Sequence, residues 1–130
     1  MAKLVLPDSN IYIGALRQRQ DPFVALGGHA DEWEFATCGI VALEVIRGIR
    51  DPRLLARTRA GFAVMIFVPT SNAIWDRATH LAWSLDRRGV LVPATDLLIA
   101  ATALQVEAAL LTRDAHFEQI PGLRVVDRLD

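Results

Sequence analysis

The stretch Val92-Pro93-Ala94-Thr95-Asp96-Leu97-Leu98-Ile99-Ala100-Ala101-Thr102-Ala103 carries a single carboxylate into a long apolar run. An ionised carboxylate in such surroundings is costly unless a cation or hydrogen-bond donors meet it. Just past a proline, Asp96 falls in the first turn of a helix, where the macrodipole favours a negative charge. A purely structural helix-start acid is therefore one reading of it. Glu44 raises the same question as the one charge in Ile40-Val41-Ala42-Leu43-Glu44-Val45-Ile46. Asp8 and Asp114 each leave a short apolar run, behind Leu6-Pro7 and behind Leu111-Thr112-Arg113. Carboxylates gathered on one edge would repel one another and partly protonate unless a cation lay among them. Hard oxygen ligands without His or Cys select Mg²⁺ or Mn²⁺ over Zn²⁺. Such a site can activate water and stabilise an in-line displacement at phosphorus.

Whether the acids meet depends on the elements that carry them. Lys3-Leu4-Val5-Leu6-Pro7 reads as a short buried strand, and Asp8-Ser9-Asn10 then supplies caps for a helix over 11–18. Asp21-Pro22 and Asp51-Pro52 are both helix starts, with Asp as the cap and Pro at the first helical position. Gly27-Gly28 weakens the first of these helices, and the second runs to about Ala60. Strands are expected over Trp33–Cys38, Val64–Val68, Leu110–Thr112 and Leu123–Val126. Helices are expected over Gly39–Ile46, Ala73–Arg88 and Pro93–Ala109, with one or two turns over Asp114–Gln119. Strands alternate with helices, and the strands are short apolar runs without period-two alternation. That pattern predicts an α/β fold with a parallel sheet covered on both faces.

In such a sheet ligands bind beyond the carboxyl ends of the strands, at a topological switch point. Asp8 and Asp114 leave strands at that edge and approach each other if those strands are neighbours. A helix running antiparallel to the strands starts at the same edge, which brings Asp96 and Glu44 there as well.

The chain has 130 residues, 52% of them hydrophobic, so one domain with a packed core is expected over 1–130 and disorder is not. A net charge of −1 does not advertise a nucleic-acid partner. Of fourteen basic residues all but Lys3 are Arg, the residue suited to bidentate phosphate and carboxylate contacts, although a GC-rich source also yields this bias. One cysteine, Cys38, excludes an intrachain disulfide and fits a reducing compartment. With no signal-peptide pattern and no apolar run long enough for a bilayer, a cytoplasmic protein without membrane association is expected.

Leu6-Pro7-Asp8-Ser9-Asn10, Leu43-Glu44-Val45-Ile46-Arg47-Gly48, Asp96-Leu97-Leu98-Ile99-Ala100-Ala101-Thr102-Ala103 and Leu111-Thr112-Arg113-Asp114-Ala115-His116-Phe117 together resemble the PIN-domain nucleases. Within that family the chain looks most like the VapC toxins of toxin–antitoxin pairs. Each motif alone is weak; four in order, over nearly the whole chain, are fairly specific. The resemblance implies a three-layer α/β/α fold with about five parallel strands in order 3-2-1-4-5. It implies that Asp8, Glu44, Asp96 and Asp114 bind Mg²⁺ or Mn²⁺ and catalyse RNA cleavage. It further implies a homodimer and a cognate antitoxin whose tail covers the site. The chain departs from the pattern at one position: some relatives carry a further acid two residues after the one matching Asp114, and here that residue is His116. A second metal would then be weakly held, or bound only with substrate, and Glu118 is an unsupported substitute.

Asn10 and Thr112 are candidates for orienting a metal ligand or a water, or for ordinary cap and strand-end bonding; Ser9 is a weaker one. Arg47, Arg50, Arg53 and Arg57 gather around one helix start, and the last three share a face by helical spacing. They suit RNA phosphates, the acidic groups of an antitoxin, or simply a solvated surface. Trp75 and Trp83 suit core or dimer packing better than a stacking platform for bases. His29, His80 and His116 have no metal-ligand spacing. The leading reading is a metal-dependent endoribonuclease acting as a toxin on transfer, ribosomal or messenger RNA. Its rival is a PIN-like module that binds or processes RNA with little catalysis. A receiver-like phosphoacceptor also gathers acids around Mg²⁺, but it normally needs a late-strand Lys, and Lys3 is the only Lys.

Overall fold

The structure, a computed structural model, describes residues 2–130. Five strands, β1 (Lys3–Pro7), β2 (Trp33–Cys38), β3 (Ile66–Val68), β4 (Ala109–Leu111) and β5 (Val125–Val126), form one sheet in the order β3-β2-β1-β4-β5. Every neighbouring pair is parallel. The order reverses between β1 and β4, paired in the register Leu6–Leu110 and Pro7–Leu111, so the switch point falls where the first motif and the last one meet. Among the described residues six helices flank the sheet: α1 (Ser9–Arg17), α2 (Pro22–Gly27), α3 (Gly39–Ile46), α4 (Pro52–Ala63), α5 (Asn72–Arg87) and α6 (Ala94–Gln105). A 3₁₀ helix spans Ala115–Gln119.

Local chemistry accounts for most of these boundaries. Asp21 accepts hydrogen bonds from the Phe23 and Val24 backbone N–H groups, and Asp51 from that of Arg53, so both Asp-Pro pairs cap helices. The Ser71 hydroxyl accepts from the Ile74 N–H and starts α5. Helix α6 is shorter than the apolar run that contains it. It stops at Gln105 because Glu107 adopts φ 56°, which turns the chain back into β4. Strand β3 begins at Ile66 and not at Val64, because Val64 still caps α4.

Leu97, Ile99, Ala100, Ala101 and Ala103 of α6 are buried, as are Leu6 of β1 and Leu110 of β4. Helix α6 is therefore buried on every side through its middle, while its first turn carries the half-buried Asp96. Trp75 and Trp83 are 51% and 61% exposed, which removes them from the core of the single chain. Ile66 and Phe67 are also exposed, on the edge strand β3. Among the described residues no helix is long and apolar enough to cross a membrane.

Candidate active site

Asp8 is the first residue beyond β1 and Thr112 the first beyond β4. The backbone carries the ladder one step further there: the Asp8 N–H donates to the Leu111 carbonyl at 2.9 Å. The Thr112 hydroxyl donates to Asp8 Oδ2 at 3.0 Å and accepts from the Asp114 backbone N–H at 3.1 Å. One buried hydroxyl thus ties together the two strand ends that meet at the switch point.

Asp8 stands at the N-cap position of α1 but accepts no capping hydrogen bond there. Its carboxylate is turned to Thr112 and to Ser9, whose hydroxyl lies 3.3 Å from Asp8 Oδ1 and 3.1 Å from Glu44 Oε1. With a single proton, that hydroxyl serves one carboxylate at a time. Helix α3 follows β2 directly and brings Glu44 to the site. Asp96 lies half-buried in the first turn of α6. Asp114 caps the 3₁₀ helix, its Oδ1 accepting from the His116 backbone N–H at 2.9 Å. His116 Nδ1 lies 2.9 Å from the same oxygen.

The charges of Asp8, Asp114 and Glu44 all act on Asp96. Burial pushes the Asp8 carboxyl above the usual range, and the hydrogen bonds from Thr112 and Ser9 pull part of the way back. Asp96 is pushed up to about 6, first by burial and then by the charges of Asp8, Asp114 and Glu44, with His116 opposing. Three of the four carboxylates nevertheless lean on donors of their own: Asp8 on Thr112, Glu44 on Ser9, Asp114 on His116. Among the described residues no three Asp, Glu, His or Cys side chains converge closely enough to hold a metal ion as they stand.

The remaining candidates lie further out. Asn10 is exposed and, among the described residues, makes no side-chain hydrogen bond; it lines a groove along α1 that reaches Asp114. Arg47 ends α3, Arg50 precedes α4, and Arg53 and Arg57 lie on α4. Because α4 begins at Pro52, Arg50 does not belong to the helical face it was expected to share. All four are exposed, and none forms an ion pair among the described residues. Arg57 lines a hollow of about 270 Å³ together with Arg19 and Asp21. Ser9 is more central than its local context suggests, since its link to Glu44 spans 35 positions. Arg113 was not singled out from the sequence, where it reads as a spacer between Thr112 and Asp114.

A three-layer α/β/α chain with this strand order and with acids at its switch point belongs to a narrow class of folds. The PIN domain model matches residues 5–123, and the chain belongs to the PIN-domain family. Among solved structures it is similar to VapBC2 from Rickettsia felis bound to a DNA fragment from its promoter, with TM-score 0.79 and 23% identity over 95% of this chain and 97% of that one. It is similar to VapBC-1 from nontypeable Haemophilus influenzae, with TM-score 0.79 and 21% identity over 95% of this chain and 97% of that one. A toxin–antitoxin complex from Klebsiella pneumoniae matches with 28% identity and TM-score 0.73, over 94% of this chain and 95% of that one. No curated protein matches the chain.

Proposed function

We propose that this chain is an endoribonuclease dependent on Mg²⁺ or Mn²⁺, that it acts as the toxin of a toxin–antitoxin pair, and that Asp8, Glu44, Asp96 and Asp114 hold the cation. The observation that carries the reading is Asp96, pushed up to about 6 by burial and by three neighbouring carboxylates. An all-oxygen donor set under that much self-repulsion suits a hard divalent cation. When bound, the cation lowers the pKa of an attacking water and offsets charge on the phosphate.

The chain's own residues prepare the site for this. Thr112 holds Asp8 Oδ2 and also fixes the Asp114 backbone, so two of the acids keep their relative position. Ser9 lends its proton to Asp8 Oδ1 or to Glu44 Oε1, which eases the approach of two like charges. Solved neighbours that are toxin–antitoxin complexes support an antitoxin partner here. Arg47, Arg50, Arg53 and Arg57 offer that partner, or the RNA, four exposed cations.

Asp8→Asn tests the assignment. It removes one ligand charge without changing volume, so it should lower Mn²⁺-supported RNA cleavage by more than about a hundredfold, beyond the loss from removing an outer-shell partner. The thermal midpoint should not fall, because the buried charge it removes is unfavourable. Variant protein that cuts RNA as fast as the parent would sink the catalytic assignment. A second reading, an RNA-binding or RNA-processing module with weak catalysis, draws on the separate tethering of the acids. Parent protein that shifts RNA in a gel but releases no fragments with Mn²⁺ would favour it.

A further inference from the structure

Arg113 lines two grooves that flank the site and share Asp114 as a wall. The grooves have nearly the same volume, about 570 and 550 Å³, and differ sharply in charge. The one along β4 and β5 has Asp114, Glu118, Asp127 and Asp130 against Arg113 and Arg128, and Arg128 is already paired with Asp130 at 3.5 Å. The one along α1 balances Asp114 with Arg113 and is otherwise uncharged. A polyanion entering the first meets net negative charge, whereas the second is neutral overall and Arg113, without an ion-pair partner among the described residues, is opposed there by Asp114 alone.

The wall of the α1 groove suits a nucleic-acid strand in other ways. Asn10 and Gly14 lie four residues apart on one stripe of α1, and Gln18, at the next four-residue step, is the cap residue just past its end. The amides at its two ends, with Gln20 beyond, can each donate to and accept from base edges. Gly14 between them leaves the floor low: a Cβ built there has nothing within 4 Å.

We infer that the α1 groove carries the RNA strand beside the scissile phosphate, with Arg113 gripping a phosphate and Asn10, Gln18 and Gln20 facing the bases, and that the β4–β5 groove is left empty by RNA. The inference rests on the nuclease reading above and gives it a direction: the strand leaves the acids along α1.

The test uses the full chain in the Asp8→Asn background with a fluorescein-labelled, unstructured 12-nucleotide RNA of mixed sequence. Arg113→Ala should weaken binding about five- to tenfold and reduce the slope of log affinity against log salt by about 0.7, as expected for one lost phosphate contact on a single strand. Arg113→Lys should recover most of the loss. Gly14→Met should also weaken binding by filling the floor, and its thermal midpoint should not drop, since the position is open and Met is the better helix former. Arg128→Ala in the other groove should change nothing. Cleavage by the otherwise unaltered chain should show KM raised and kcat preserved for Arg113→Ala and Gly14→Met. RNA binding that ignores both Arg113→Ala and Gly14→Met, or that falls as far with Arg128→Ala, overturns the groove and leaves the nuclease reading intact. An Asp8→Asn parent that binds no RNA overturns both.

Discussion

In the proposed site, Asp96 sets a proton in competition with the cation. Its carboxyl, with an ordinary value of 3.8, is raised to about 6 by burial and by Asp8, Asp114 and Glu44. A folded-state pKa above the unfolded one means that the native chain binds the proton more tightly. The stabilising contribution is complete below about 3.8 and is lost as pH rises through about 6. Protein in EDTA should therefore melt higher at pH 5 than at pH 7.5, with Asp8, also raised by burial, acting in the same direction. The Asp96→Asn chain should show a smaller difference between the two pH values. Saturating Mg²⁺ should stabilise the parent more at pH 7.5 than at pH 5, because a ligand that binds only the deprotonated site gains from its ionisation. Calorimetric melts at both pH values check this, and a pH trend unchanged by Asp96→Asn would show that the carboxyl is not under the strain assigned to it.

At the scale of elements, α4 meets the rest of the molecule through an aromatic trio. Tyr12, Phe23 and Phe62 have ring centroids 5.0–5.5 Å apart. Gly61 lets the Phe23 ring approach α4 so closely that a Cβ at residue 61 would lie 2.5 Å from Phe23 Cγ. Gly61→Ala should cost about 1–3 kcal/mol for the forced shift, against about 1 kcal/mol returned by helix propensity, for a net loss of stability. A denaturant midpoint unchanged or raised in the variant would mean that the ring yields freely. The elements themselves were largely legible in the sequence, because their signals are local: Leu6-Pro7 ahead of three capping residues, two Asp-Pro starts, Ser71 before α5. The end of α6 was not, because Glu107 takes a left-handed conformation that composition does not announce. The type and edge of the candidate acids could be read from their place after strands and at helix starts. The Thr112–Asp8 and Ser9–Glu44 bonds span 104 and 35 positions, and only the strand pairing reveals them. The role inferred for Arg113 is not legible in the sequence, because it depends on the grooves at either side.

The whole molecule leaves apolar surface that its own core does not use. Trp75 and Trp83, 51% and 61% exposed, lie on α5, with the Arg87 guanidinium 5.1 Å from the Trp83 ring centroid. Scattered exposed apolar residues are ordinary, but tryptophan offers 150–250 Å² of contact area, and two on one helix suit a protein partner. We propose that a second copy of the chain covers this face. Tryptophan pairs from both copies would supply only a few hundred Å² of the roughly 1,200–2,000 Å² buried in a stable interface, so the polar residues of α5 must join the contact. Light scattering should then give twice the chain mass of 14.3 kDa. Trp75→Ser combined with Trp83→Ser should return a monomer at micromolar concentration, with far-ultraviolet dichroism unchanged because neither ring belongs to the core of the single chain. A double variant that remains dimeric would move the contact elsewhere, and the exposed β3 edge at Ile66 and Phe67 is then the surface to alter next.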